Sequence, residues 1–66
     1  MEKRTITKTG AKGARFDYHF LVDEESGYLK LDDVKVLGES IMEVMDVETL
    51  EAVYNEQYHK WINKAA

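Results

Sequence analysis

Sixty-six residues with a net charge of −4, 44% apolar and 33% charged side chains and no cysteine suit a globular chain, and exclude disulfide or thiolate–zinc cross-links as its source of stability. A chain of this length encloses one hydrophobic core, and buries only roughly 60% of the surface that its unfolded form exposes. We therefore expect one small domain over residues 1–66, with a thin stability margin that a partner or a second copy would widen. No long apolar stretch follows Met1-Glu2-Lys3-Arg4, so neither a leader nor a membrane-spanning helix is expected, and the cytoplasm is the expected compartment.

Charge is unevenly distributed. Residues 1–22 hold five Lys or Arg against two carboxylates, whereas residues 23–66 hold four lysines against eleven carboxylates. Such an asymmetry marks either a face for a polyanion or a basic hairpin packed on an acidic helix.

In chain order, Lys3 to Thr9 is threonine-rich with Ile6 its one large aliphatic residue, the composition of an edge strand guarded by Lys3, Arg4 and Lys8. Gly10-Ala11-Lys12-Gly13 predicts a tight reversal, its two glycines supplying positive φ angles. Ala14 to Val22 then alternates, with Phe16, Tyr18, Phe20 and Val22 on one face and Arg15, Asp17 and His19 on the other. This aromatic row is the sheet's expected share of the core. A polar turn, Asp23 to Gly27, leads to a short third strand, Tyr28 to Leu31.

From Asp32 the period changes. Val34, Leu37, Ile41, Val44 and Met45 fall at helical spacing behind a capping Asp32, although Gly38 weakens a helix there and Val34 to Leu37 would also serve as a fourth strand. The last segment predicts a helix capped by Asp46, with Val47, Leu50, Val53, Tyr54, Tyr58, Trp61 and Ile62 on its buried face. Glu56 and Lys60 stand four apart in the favourable order, and Lys60 and Lys64 suit the negative end of the helix dipole. The expected fold class is α+β: a three-stranded antiparallel meander packed against one or two C-terminal helices.

Residues that carry chemistry are sparse. His19 and His59 have no His or Cys at ligand spacing, so no metal is expected. The carboxylate groups Glu24-Glu25, Asp32-Asp33 and Asp46 with Glu48 sit at expected turns and helix starts, where solvation and capping account for them better than acid–base work. Asp23 to Ser26 lacks the alternating oxygens of a calcium loop, and Gly10 to Gly13 lacks the spacing and following hydroxyl of a phosphate loop. No cofactor and no small-molecule substrate are indicated, and neither is a catalytic residue.

Two surfaces remain. Lys8, Lys12 and Arg15 on the basic hairpin are candidate contacts for a nucleic-acid backbone, against which stands the acidity of the rest of the chain. Tyr54, Tyr58 and Trp61 on the last helix exceed what one small sheet face needs, and are candidate anchors for another protein or a second copy of this chain. The leading expectation is a small non-enzymatic protein-binding or regulatory module, of mobile-element or bacterial accessory type, that acts by occupying a surface. The alternative is a nucleic-acid-binding module that uses the hairpin.

Overall fold

A computed structural model describes residues 1–62, apart from the side chain of Ala11. Four strands form one antiparallel sheet in the order of the sequence: β1 (Glu2–Thr9), β2 (Arg15–Asp23), β3 (Tyr28–Val36) and the two-residue β4 (Glu39–Ser40). One helix, α1 (Val47–Trp61), follows. The α+β expectation holds, with a short fourth strand added to the meander and a single α-helix among the described residues.

The period-two pattern of β2 decides which side of the sheet is interior. Tyr18, Phe20 and Val22 are buried with Leu29, Leu31 and Val34 of β3, and Phe20 is only 1% exposed. The helix closes this face with Val53, and Leu50, Tyr54, Tyr58, Trp61 and Ile62 pack around the buried set. Burial of a side chain such as Phe20 contributes about 1.5–3 kcal/mol, so this row is the main source of stability. Asp46 caps the helix as expected, its Oδ1 accepting from the Glu48 N–H at 3.3 Å.

Residues 32–45 depart from the helical expectation. β3 runs through Asp32 and Asp33, where its register with β2 shifts between His19 and Phe20, and it continues to Val36. The extra residue of this bulge moves the alternation on by one, so Leu29, Leu31 and Val34 all face the helix despite their irregular spacing. Asp32 thus caps no helix. Asp33 holds the bulge instead, its Oδ1 accepting from the Val34 N–H at 2.8 Å and the Ser40 hydroxyl at 2.6 Å. Leu37 and Gly38 form the β3–β4 turn, and Met42–Val44 is a single 3-10 turn leading to α1.

Three smaller expectations also change. Gly10 does not supply positive φ; Lys12 (φ 63°) and Gly13 (φ 77°) do, while a Cβ at Gly10 would lie 2.7 Å from Phe16 Cε1. Val47, placed on the buried helix face by its spacing, is 64% exposed, and the polar Gln57 is buried there. Glu56 takes Lys8 Nζ as its hydrogen-bonded partner at 2.9 Å, and Lys60, four residues on, adds a weaker attraction to the same carboxylate. The expected role of Lys64 at the helix end lies outside the described residues.

Candidate functional site

Register fixes the direction of each basic side chain. Arg4, Ile6 and Lys8 pair with Phe20, Tyr18 and Phe16, and so share the helix side of the sheet. Lys8 is engaged there by Glu56, whose carboxyl its ammonium holds below the usual 4.5. Arg4 is held by Glu2 at 3.0 Å and by Glu24 at 2.8 Å, with its guanidinium 5.1 Å from the centre of the Trp61 ring. Arg15 lies on the opposite, open face, and Lys12 is exposed at the hairpin tip. Neither has an ion-pair partner among the described residues. The three candidate nucleic-acid contacts therefore do not form one group: Lys12 and Arg15 are free at the tip, and Lys8 is on the other side of the sheet.

The aromatic candidates of α1 are half-buried and engaged within the molecule. Trp61 meets Phe20 edge-on at 5.4 Å, Tyr54 and Tyr58 stack at 6.1 Å, and the Tyr54 hydroxyl donates to the Leu29 carbonyl at 2.9 Å. That hydroxyl covers part of β3 where β4 does not reach, since β4 pairs only with Lys35 and Val36. Much of the apparent aromatic surplus is used in holding the helix to the sheet.

The open sheet face is polar and balanced in charge. Thr5 Oγ1 and His19 Nδ1 are 3.0 Å apart, and the Thr7 hydroxyl donates to Asp17 at 2.8 Å. Beside the bulge lies a shallow recess of about 210 Å³, bordered by Lys3, Thr5, His19, Leu21, Asp33 and Lys35. The bond from Ser40 keeps the Asp33 carboxyl below its ordinary 3.8. No three His, Asp or Glu side chains converge as a metal site among the described residues, and no described helix is long and apolar enough to cross a membrane.

The most exposed apolar side chains after β2 lie in the connection that the helical pattern had placed in the core. Leu37 is 96% exposed and Val44 83%, and Val47 opens the helix with most of its surface in water. Leu37 also has φ 53°, a left-handed backbone that costs a residue with a Cβ roughly 1 kcal/mol or more. The two-residue turn here is of the kind with positive φ at both central positions, which Gly38 (φ 82°) adopts freely and Leu37 (φ 53°) only at a cost. The Leu-Gly pair between Val36 and Glu39 was the sequence signal for this turn; the spacing of Val34, Leu37 and Ile41 concealed it.

Compared with known proteins, the chain matches no family model, no curated protein and no solved structure. Its functional reading therefore comes from its own surfaces. Of these, the Leu37 to Val47 connection combines backbone strain with apolar exposure, whereas the open sheet face is polar and pairs Thr5 with His19, Thr7 with Asp17 and Asp33 with Ser40.

Proposed function

We propose that this chain is a small non-enzymatic binding module that acts by occupying a surface of another protein, with the connection from Leu37 to Val47 as its contact region. The observation that carries this reading is Leu37 itself. A large apolar side chain stands almost wholly in water on a backbone that disfavours it, at a position where asparagine or glycine would cost less. Strain of this kind tends to persist where it serves contact with something else. Val44 and Val47 add exposed apolar surface on the same connection, and burying such side chains is what gives an interface its affinity.

The test separates contact from folding. Leu37→Asn replaces the side chain by a polar one that tolerates left-handed backbone, so the fold should persist with equal or slightly higher stability. The wild-type chain, immobilised at physiological salt, is expected to retain a protein that Leu37→Asn retains at least about tenfold less, the loss of one well-packed anchor. Equal retention by both, or no retention by the wild type, refutes the reading.

A second reading, contact of the hairpin tip with a nucleic-acid backbone, is favoured by the unpaired charges of Lys12 and Arg15. It requires affinity that falls steeply with salt and falls further when both become alanine. A flat salt titration removes it.

A further inference from the structure

β1 presents a complete, unpaired sheet edge whose chemistry matches itself. The Gly10 N–H donates to the Ala14 carbonyl at 2.7 Å, which sets the phase of the β1–β2 ladder. Counting back in twos, Lys8, Ile6, Arg4 and Glu2 turn their backbone groups toward β2, and Lys3, Thr5, Thr7 and Thr9 turn theirs outward. Pairing with β2 runs unbroken from Glu2 to Thr9, with neither proline nor bulge to distort the edge. Edges are normally guarded by charge. Here Arg4 and Lys8 are turned onto the helix side, where Glu2, Glu24 and Glu56 pair with them and weaken their guard without removing their charge, and Lys3 is the one unpaired cation of the strand.

We infer that two copies of this chain join through β1, antiparallel across a twofold axis at Thr5, to make one continuous sheet with both helices on the same side. The outward backbone groups allow this register, in which Thr5 faces Thr5 and Lys3 faces Thr7 of the second copy on the open face. On the helix side Glu2 faces Lys8 of the second copy, and the symmetry repeats that attraction. The neighbouring register centred on Ile6 would set Arg4 opposite Lys8, two like charges directly across the strands, so charge selects the first. A chain of this size also gains from covering an edge that its own core cannot cover.

Sedimentation equilibrium of the full chain, over a wide concentration range, tests the interface. The wild type is expected to reach twice its monomer mass. Glu2→Lys alone and Lys8→Glu alone should each weaken association about tenfold, because each turns two attractions into repulsions, and the double variant should recover most of the loss. Thr5→Pro removes an outward N–H that β2 does not use, and should leave a folded monomer by circular dichroism. If that variant fails to fold, the reciprocal charge reversal carries the test. A wild type that stays monomeric throughout overturns the inference and leaves the edge to a strand of another protein. A dimer indifferent to both single reversals overturns it equally. The Leu37 reading is independent, since Leu37→Asn should leave the dimer intact.

Discussion

Replacing Gln57 by methionine is expected to stabilise the protein. Gln57 is 3% exposed on the sheet side of α1, its Nε2 donates to Glu56 Oε1 at 3.0 Å, and its buried Oε1 has no hydrogen-bond partner among the described residues. A buried acceptor left unpaired costs about 1–3 kcal/mol, whereas the hydrogen bond given up at Nε2 is worth about 0.5–1.5 kcal/mol net. Methionine keeps nearly the same length and volume, so no cavity opens against Val53 and Trp61. The balance is a gain of about 1 kcal/mol, or a rise of about 4–8 °C in Tm for a domain of this size. Thermal unfolding followed by circular dichroism reads it directly, at fixed chain concentration because self-association would also move Tm. Urea unfolding should show a higher midpoint at unchanged slope. An unchanged or lower Tm would mean that Oε1 is satisfied in solution, and the reasoning from its isolation would fail.

Asp46→Ala removes the side-chain acceptor of the Glu48 N–H, and is expected to cost about 1 kcal/mol, with a partial loss of helical signal; Asp46→Asn should restore most of it, and equal stability of all three would refute the cap. Acid should weaken the fold through Glu2, Asp33 and Glu56, whose carboxyls are held below 4.5, 3.8 and 4.5 chiefly by bonds from Arg4, Ser40 and Lys8. Because their folded values are depressed, their contribution is complete above those ordinary values and is lost as pH falls through the lower folded ones. Urea midpoints measured from neutral pH downward should decline in that window, and a midpoint that rises there would contradict the assignment.

The elements with one uninterrupted period were legible in the sequence. Phe16 to Val22 alternates without a break, and Asp46 followed by Leu50, Val53, Tyr54, Tyr58 and Trp61 has a cap and a stripe, so strand, helix and their shared core could be read before any coordinates. Residues 32–45 could not, because the bulge at Asp32 and Asp33 puts two residues between Leu31 and Val34, a three-position step that imitates a helix. The site suffered from the same step: with Leu37 and Val44 assigned to a helical stripe, their exposure was invisible. Gln57 was missed for a different reason, since its spacing places it inward while its polarity argues outward. For Lys8 the information was present. Its parity with Ile6 puts it on the helix side, but as one of a run of cations it was grouped by charge rather than by face.

The strands pair only with their neighbours in sequence, so each sheet closure spans a short stretch of chain. The contact between Lys8 and Glu56 spans 48 positions, and the entropy lost in closing a loop grows with its length. Assembly of the meander is thus a local event, quick for a β-structure, whereas seating the last turns of α1 across the first strand is the distant one. The joint between the two ends of the chain is where order arrives late, and where a modest perturbation would loosen the protein without dissolving its sheet.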